Sequence, residues 1–237
     1  MNTESVRDQL QSIGVMPHQV EFVESVAIAP KPARFLLAAP SGYGKSIAMA
    51  AVIKALSANS NGTYRCLTIV PTSLQDQWAS VLHDWGSVNA VVVNGPEYRR
   101  LQAETPLGQN PWATSPYIIT SIDFLKMDER VDEVLNAPWD VILFDELHQS
   151  GHRSLRSILA DRIWSTDRIP LVVGATAHYE RPEWMLQYPR VNVIRWRSDS
   201  LKDWNGINTL PARHVVTRTY EMSESEQEIG MRLDEVM

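Results

Sequence analysis

Short apolar runs alternate with longer amphipathic segments along most of the chain. Seven short runs predict strands, and several of them are apolar almost throughout: residues 34–39, 66–70, 90–93, 117–120, 141–144, 171–174 and 191–194. Strands that are covered by helices on both faces are apolar along their whole length, so these runs predict a mainly parallel sheet. The repeated order of strand, helix and strand is typical of a doubly wound α/β fold with helices on both faces of the sheet.

The segments between the runs carry helical periodicity. The clearest pattern begins at Leu74 and ends at Trp85, and a weaker one runs from Leu155 to Ile163. Proline opens a further predicted helix at residues 17–27. Glycines and prolines in residues 94–115 predict a long surface loop instead. Four tryptophans stand among aliphatic residues and are expected in the core: Trp78, Trp85, Trp164 and Trp184.

The composition narrows the class of protein. The chain has 237 residues, of which 44% are hydrophobic and 21% charged, as in ordinary globular domains. Its single cysteine, Cys66, excludes an internal disulfide and a thiolate zinc site, which favours a reducing environment. The polar start and the lack of a long apolar run argue against a signal peptide or membrane span, so a cytoplasmic protein, or a nuclear one in a eukaryote, is expected.

The net charge of −6 is concentrated at the end of the chain. The last 17 residues contain six acidic residues and one arginine, and the rest of the chain is nearly neutral. A passive nucleic-acid coat usually has a strong basic excess, so this class is disfavoured. A nearly neutral chain does not exclude a local strip of basic residues that binds nucleic acid.

A phosphate-binding sequence, A-P-S-G-Y-G-K-S, follows the first predicted strand at residues 39–46 and precedes an alanine-rich helical stretch. This is the P-loop pattern, although Ala39 replaces its first glycine. Glycines let the backbone N–H groups face phosphates, while Lys45 would reach the β and γ oxygens and the Ser46 hydroxyl would hold Mg²⁺. The predicted ATP contacts are Ser41, Gly42, Tyr43, Gly44, Lys45 and Ser46.

Two adjacent acids follow the buried strand predicted at residues 141–144. Asp145 would hold Mg²⁺, and Glu146 would orient or deprotonate the attacking water. The two roles need two carboxylates. Together with Lys45 they predict ATP hydrolysis rather than transfer to a small molecule, because a phosphotransferase must exclude water.

Further segments resemble, in order, the motifs of superfamily 2 helicases and translocases, closest to DEAH-box and Swi/Snf-type motors. D-E-L-H at residues 145–148 is similar to the D-E-A-H box, and M-P-H-Q at 16–19 is similar to an adenine-reading element. I-V-P-T-S-L-Q-D-Q-W at 69–78 and I-I-T-S-I-D-F-L at 118–125 resemble two motifs that contact the nucleic-acid backbone. G-A-T-A-H at 174–178 resembles the motif that couples ATP to the strand. The resemblance implies the first RecA-like lobe of such a motor.

The resemblance also implies roles for single residues. Gln19 would read adenine. Nucleic-acid contacts would come from Pro71, Thr72, Ser73, Thr120 and Ser121, and coupling from His148, Thr176 and His178. Leu147 replaces alanine in the box, and Ala177 stands where relatives carry proline, which implies a less rigid coupling turn.

Elementary chemistry supports the nucleic-acid positions but leaves an alternative. Hydroxyls and helix N-termini at strand ends contact phosphates without large positive charge. The same serines and threonines would also serve as plain helix caps. Five arginines are possible further phosphate contacts, with a solvated surface position as the alternative: Arg153, Arg156, Arg190, Arg195 and Arg197.

Residues 1–209 are expected to form the ATP-binding lobe, and residues 210–237 an exit segment with an acidic C-terminal helix. No second strand-and-helix series and no G-R-x-x-R segment follows, so an arginine finger would have to come from a second RecA-like lobe, in cis or on another chain. Slow hydrolysis is expected of this chain alone. The leading interpretation is the ATP-binding lobe of a motor acting on nucleic acid, DNA in preference to RNA. The alternatives are a one-lobe nucleotide-dependent module that docks a protein through its final helix and, more weakly, a P-loop phosphotransferase.

Overall fold

The computed structural model describes residues 3–58, 60, 63–126, 128–147, 154–177, 185, 188, 190–198 and 201–209. The strands are β1 (Ala33–Ala38), β2 (Cys66–Val70), β3 (Val91–Val93), β4 (Tyr117–Ser121), β5 (Val141–Phe144), β6 (Leu171–Thr176) and β7 (Asn192–Arg195). The helices are α1 (Thr3–Ser12), α2 (Pro17–Ile28), α3 (Lys45–Ser57), α4 (Gln75–Asp84), α5 (Gly95–Glu104), α6 (Ile122–Leu125), α7 (Asp128–Leu135) and α8 (Leu155–Ser165). Short 3₁₀ turns cover Thr72–Leu74 and Pro111–Ala113.

The strands form one parallel sheet in the order β3-β4-β2-β5-β6-β1-β7. All seven predicted strands are present, and the predicted α/β fold is confirmed. The central strands are buried along their whole length, as their continuous apolar sequence requires.

Two hydrophobic layers cover the two faces of the sheet. Helices α1 to α4 contribute to one layer, which includes Leu37 and Leu143 from the sheet. Helices α5 to α8 contribute to the other, which includes Leu36 and Ile142. Because successive side chains of a strand point to opposite faces, neighbouring residues of β1 and β5 serve different layers. The sheet is thereby fixed from both sides, and its loops are held in defined positions.

The prediction of a long surface loop at residues 94–115 is wrong. Helix α5 occupies Gly95–Glu104, and three residues of this segment are buried in the core: Tyr98, Leu101 and Trp112. The Asn94 side chain accepts a hydrogen bond from the N–H of Glu97, and Pro96 lies in the first turn. Both residues therefore act as helix-start signals rather than as loop formers.

The periodicity predicts the position of helix α8 correctly, but two of the apolar residues in its pattern are not buried. Leu155 and Ile158 are 54% and 50% exposed. The buried side of the helix is instead formed by Ser157, Leu159, Ala160, Ile163 and Trp164. Helices α1, α6 and α7 were not predicted. Helix α6 has only four residues, and α1 and α7 are mostly polar with few apolar positions each.

Among the described helices, none is long and apolar enough to cross a membrane. The predicted exit segment and C-terminal helix at residues 210–237 lie outside the described residues.

Candidate nucleotide-binding site

The P-loop and the acidic pair meet at the carboxyl edge of the sheet. The P-loop follows β1, the acids follow β5, and β6 lies between these two strands. Two strand spacings therefore separate the two segments, a distance of about 10 Å. A cleft of about 420 Å³ opens there and is lined by both segments, including Lys45, Ser46, Asp145 and Glu146. The structure thus brings together the four residues for which the sequence predicts catalysis and metal binding.

The P-loop backbone turns in the manner that its glycines allow. Gly42 and Gly44 have φ angles of +84° and +78°, in the left-handed region that favours glycine. Helix α3 begins immediately afterwards, at Lys45. The N–H groups of its first turn have no helical carbonyl before them, so this end of the helix suits an anion. Ser41, Gly42, Gly44 and Ser46 all line the cleft.

The Lys45 side chain lies at the base of the cleft. It is only 7% exposed, and its Nζ donates hydrogen bonds to the carbonyl oxygens of Ala39 at 2.8 Å and Pro40 at 3.2 Å. Burial lowers the pKa of this amine, while the nearby carboxylates of Glu146 and Asp145 act in the opposite direction. The amine is therefore held beside the loop and largely shielded from water, where a phosphate charge would attract it more strongly than at an open surface.

Asp145 is held on both carboxylate oxygens. Trp78 donates from Nε1 to Oδ2 at 2.8 Å, and the backbone N–H of Glu146 donates to Oδ1 at 2.9 Å. The residue is 5% exposed, and burial raises the pKa of its carboxyl group, with the Trp78 hydrogen bond opposing this effect. The acid is thus part of the packed structure and is fixed in orientation before any ligand binds.

Glu146 has a left-handed backbone, with φ of +52°. A residue with a side chain pays about 1 to 3 kcal/mol for such a conformation, and strain of this kind is concentrated at functional sites. The next residue, Leu147, is fully buried. A Cβ atom at Gly174 of β6 would lie 3.1 Å from the Leu147 side chain and 2.7 Å from the Trp164 ring. Close packing between β6 and the acidic segment therefore fixes the strained turn.

Gln19 fastens helix α2 to the P-loop. Its Oε1 accepts a hydrogen bond from the N–H of Met16 at 2.8 Å, and its Nε2 donates to the carbonyl oxygen of Gly44 at 3.1 Å. The residue is 3% exposed. Beside it, Nε2 of His18 lies 3.4 Å from the carbonyl oxygen of Tyr43. The structure therefore brings Gln19 to the P-loop, and its role in reading adenine stays a prediction.

The predicted nucleic-acid residues divide into two groups. Thr72 and Ser73 are exposed in the 3₁₀ turn after β2, and Pro71 is half-buried. The Thr120 hydroxyl, in contrast, is buried and donates to the carbonyl oxygen of Val93 at 2.9 Å. The Ser121 hydroxyl caps α6 by accepting a hydrogen bond from the N–H of Phe124 at 3.1 Å. Ser121 therefore acts as the helix cap that the sequence left as an alternative, whereas the Thr120 hydroxyl links β4 to Val93 of β3 and caps no helix.

Thr176 connects the end of β6 to the P-loop. It is fully buried, and its carbonyl oxygen accepts a hydrogen bond from the N–H of Ala39 at 3.1 Å. The other two predicted coupling residues, His148 and His178, lie outside the described residues.

The five candidate arginines are placed differently. Arg156 forms a two-pronged ion pair with Asp123, with Nη2 at 2.7 Å from Oδ2, so its guanidinium already pairs with a carboxylate. Arg153 lies outside the described residues, whereas three arginines near the last strand are exposed: Arg190, Arg195 and Arg197.

The profile of a family described as "Type III restriction enzyme, res subunit" matches residues 12–181, which is more than half of the chain. The chain belongs to this family. RNA polymerase-associated protein RapA of Vibrio cholerae serotype O1 is 32% identical over 136 residues, and its counterpart in Vibrio campbellii is 32% identical over 138 residues. Each match covers 57% of this chain and 14% of the relative. The chain thus spans a small part of the curated relatives that it matches.

Two solved structures share the fold of this res-subunit family member. The Hef helicase domain of Pyrococcus furiosus has a TM-score of 0.56 at 17% identity, with 80% of this chain and 39% of that chain covered. The SWI2/SNF2 ATPase core of Sulfolobus solfataricus in complex with dsDNA has a TM-score of 0.50 at 15% identity, with 69% and 32% covered. The family match and this parallel sheet confirm the predicted resemblance: the chain is a first RecA-like lobe of superfamily 2.

The side chains that line the cleft fit a hard divalent cation. A hydroxyl from Ser46 and carboxylates from Asp145 and Glu146 supply only oxygen donors, which Mg²⁺ prefers. The described residues, those of the cleft included, contain no group of three or more histidine, cysteine or acidic side chains that could hold a metal ion, so Mg²⁺ would also need oxygens from the phosphates.

One contact of the site was not predicted. The helical spacing of Trp78 placed it in the core, and its 1% exposure confirms this. The spacing did not predict that its indole N–H reaches Asp145. Periodicity reports which face of a helix is buried, and the partner of one polar atom depends on how helix α4 and strand β5 are placed in space.

Replacing Gly44 with alanine is expected to weaken ATP binding and lower the thermal unfolding midpoint. A Cβ atom there would lie 2.1 Å from Nε2 of Gln19, so the Gln19 side chain must move in addition to the strain of the left-handed backbone. Gly108→Ala is the matched control, because its φ of +84° carries the same strain with nothing within 4 Å. Calorimetric titration with ATP should separate the two variants. Equal ATP affinities of the two variants would contradict a role of the Gln19–Gly44 contact in ATP binding.

Proposed function

We propose that this chain is the ATP-binding lobe of a nucleic-acid-dependent ATPase, a helicase or double-strand DNA translocase, which hydrolyses ATP with Mg²⁺. One observation carries the proposal: Lys45, Ser46, Asp145 and Glu146 line a single cleft at the carboxyl edge of the sheet. A P-loop alone would support nucleotide binding. The acidic pair across the same cleft adds the groups that hydrolysis needs.

Each residue of the cleft has a defined task in this proposal. The N-terminus of α3 and the Lys45 amine bind the phosphate oxygens, because both present positive charge to the cleft. Ser46 and Asp145 would hold Mg²⁺, which neutralises phosphate charge when bound. Glu146 orients the attacking water and accepts its proton. Gln19 places the adenine beside the P-loop, where its amide already contacts Gly44.

The nucleic-acid surface would begin at the 3₁₀ turn after β2. Thr72 and Ser73 are exposed there, at the same edge of the sheet as the P-loop. Hydroxyl groups at a helix start bind phosphates without regard to base sequence, as a motor that moves along a strand requires. DNA is favoured over RNA because one structural neighbour, the SWI2/SNF2 ATPase core, is in complex with dsDNA.

Full activity would require a second RecA-like lobe, in cis or on another chain. Its task would be to bring an arginine to the γ-phosphate, a contribution of about 10³ to 10⁵ in rate in related P-loop enzymes. Hydrolysis by the present 237 residues alone is therefore expected to be slow.

The decisive experiment measures ATP hydrolysis by the natural full-length protein with double-stranded DNA, single-stranded DNA or RNA, or with no nucleic acid. The proposal predicts that Mg²⁺-dependent hydrolysis rises on addition of nucleic acid, most with double-stranded DNA. Hydrolysis that no nucleic acid stimulates, together with a nucleotide-dependent complex with a protein, would overturn it in favour of a one-lobe interaction module.

A further inference from the structure

The indole N–H of Trp78 has an acceptor that packing alone does not explain. Helix α4 needs only an apolar side chain at this position, and a leucine or phenylalanine would fill the core without a polar atom. Tryptophan brings a donor that must be satisfied once it is buried. The donor lies 2.8 Å from Oδ2 of Asp145, within the nucleotide cleft. Trp139, in contrast, donates to a backbone carbonyl, that of Val134, at 2.9 Å.

The contact completes a clamp on the carboxylate. One donor sits on each oxygen, from Trp78 on Oδ2 and from the backbone of Glu146 on Oδ1. Two donors on different oxygens fix both the rotamer and the plane of the carboxyl group. An ionised carboxylate can accept about four hydrogen bonds, so lone pairs remain for a cation on each oxygen. The two hydrogen bonds orient Asp145 and still leave its carboxylate able to bind a cation.

The two donors also differ in origin. The N–H of Glu146 belongs to the same turn as Asp145, so it moves with that turn. Trp78 lies on α4, which follows the neighbouring strand β2 and is a separate element. Of the two donors, only Trp78 links the carboxylate directly to another element. It adds to the anchor of the Asp145 backbone, whose N–H donates to the carbonyl oxygen of Ile69 in β2 at 2.9 Å.

We propose that Trp78 is a positioning residue: its indole N–H holds the Asp145 carboxylate in the orientation that binds Mg²⁺ with the nucleotide. This inference rests on the proposed function, because it assumes that Asp145 serves the metal. Partners that orient a metal ligand typically contribute about 10- to 100-fold to metal affinity or activity. The effect should appear in the Mg²⁺-dependent part of nucleotide binding and not in binding without metal.

The test is ADP binding by the natural full-length protein, measured by calorimetry over a range of Mg²⁺ concentrations and in EDTA. In Trp78→Phe, the Mg²⁺ concentration for half-maximal enhancement of ADP binding should rise by about 10-fold or more. ADP affinity in EDTA should stay within about twofold, because the phenyl ring retains most of the packing. Trp139→Phe is the control, since it also loses one buried indole hydrogen bond but lies in the other hydrophobic layer.

A second background separates positioning from packing. In Asp145→Ala, the oxygens that accept the Trp78 hydrogen bond and would bind the metal are gone, so adding Trp78→Phe should have no further effect on the Mg²⁺ dependence. An effect that persists in that background would overturn the proposal, as would an unchanged Mg²⁺ dependence in Trp78→Phe. If Trp78→Phe does not fold, benzothienylalanine at position 78 replaces only the N–H by sulfur and gives the same two outcomes. A wild-type protein whose ADP binding ignores Mg²⁺ would instead contradict the proposed function itself.

Discussion

Replacing Lys45 with alanine is expected to weaken ATP binding by about 10- to 100-fold, because a charge-assisted hydrogen bond to phosphate is worth about 1.5 to 3 kcal/mol. The amine is buried at the base of the cleft, so the loss is not compensated by water as it would be at an open surface. Calorimetric titration of the natural full-length protein with Mg·ATP measures the change directly.

Lys54→Ala is the matched control for this variant. Lys54 lies on the same helix, but its Nζ donates to the Ser87 hydroxyl at 2.5 Å, away from the cleft. Its removal should leave ATP affinity unchanged. Equal affinities of the wild type and Lys45→Ala would show that the lysine does not reach the phosphates, and the assignment of the P-loop would fail with it.

Glu146→Gln is expected to separate binding from hydrolysis. The amide has the size of the carboxylate but cannot accept the proton of the attacking water, so steady-state hydrolysis should fall by about 10²- to 10⁴-fold. ATP affinity should change little, because neither the P-loop nor the Asp145 clamp is altered. Single-turnover hydrolysis beside a binding titration checks both halves of this prediction.

Glu104→Gln provides the comparison for Glu146→Gln. Glu104 is exposed at the end of α5, where it pairs with Arg100 at 2.5 Å. This variant should hydrolyse ATP at the wild-type rate. Wild-type hydrolysis by Glu146→Gln as well would exclude Glu146 as the group that activates water, and the base would then have to be sought elsewhere.

The sequence predicted the sheet well because burial on both faces leaves a continuous apolar run. The runs at residues 66–70 and 141–144 coincide with β2 and β5. Residues 94–115 were misjudged because proline and glycine mark both loops and helix starts, and only the Asn94 cap decides between them. The carboxyl ends of parallel strands share one edge, so the meeting of the P-loop with the acidic pair followed from the strand assignment.

Side-chain hydrogen bonds between elements were beyond the reach of the sequence. The Thr120 hydroxyl bonds to Val93 because β3 lies beside β4, and that neighbour relation is a matter of sheet order. The Trp78 contact with Asp145 likewise depends on β2 lying beside β5. The residue types in the sequence predicted which side chains belong to the candidate site. The order of the strands determines which of those side chains form hydrogen bonds with each other.

The most direct test of the account is a crystal structure of the protein with Mg²⁺ and a non-hydrolysable ATP analogue. We expect the β- and γ-phosphates on the N-terminus of α3 in contact with Nζ of Lys45, the metal between Ser46 and Asp145, and Glu146 facing the γ-phosphate. A nucleotide bound elsewhere, or in this cleft with Asp145 and Glu146 turned away from the metal and the γ-phosphate, would contradict it.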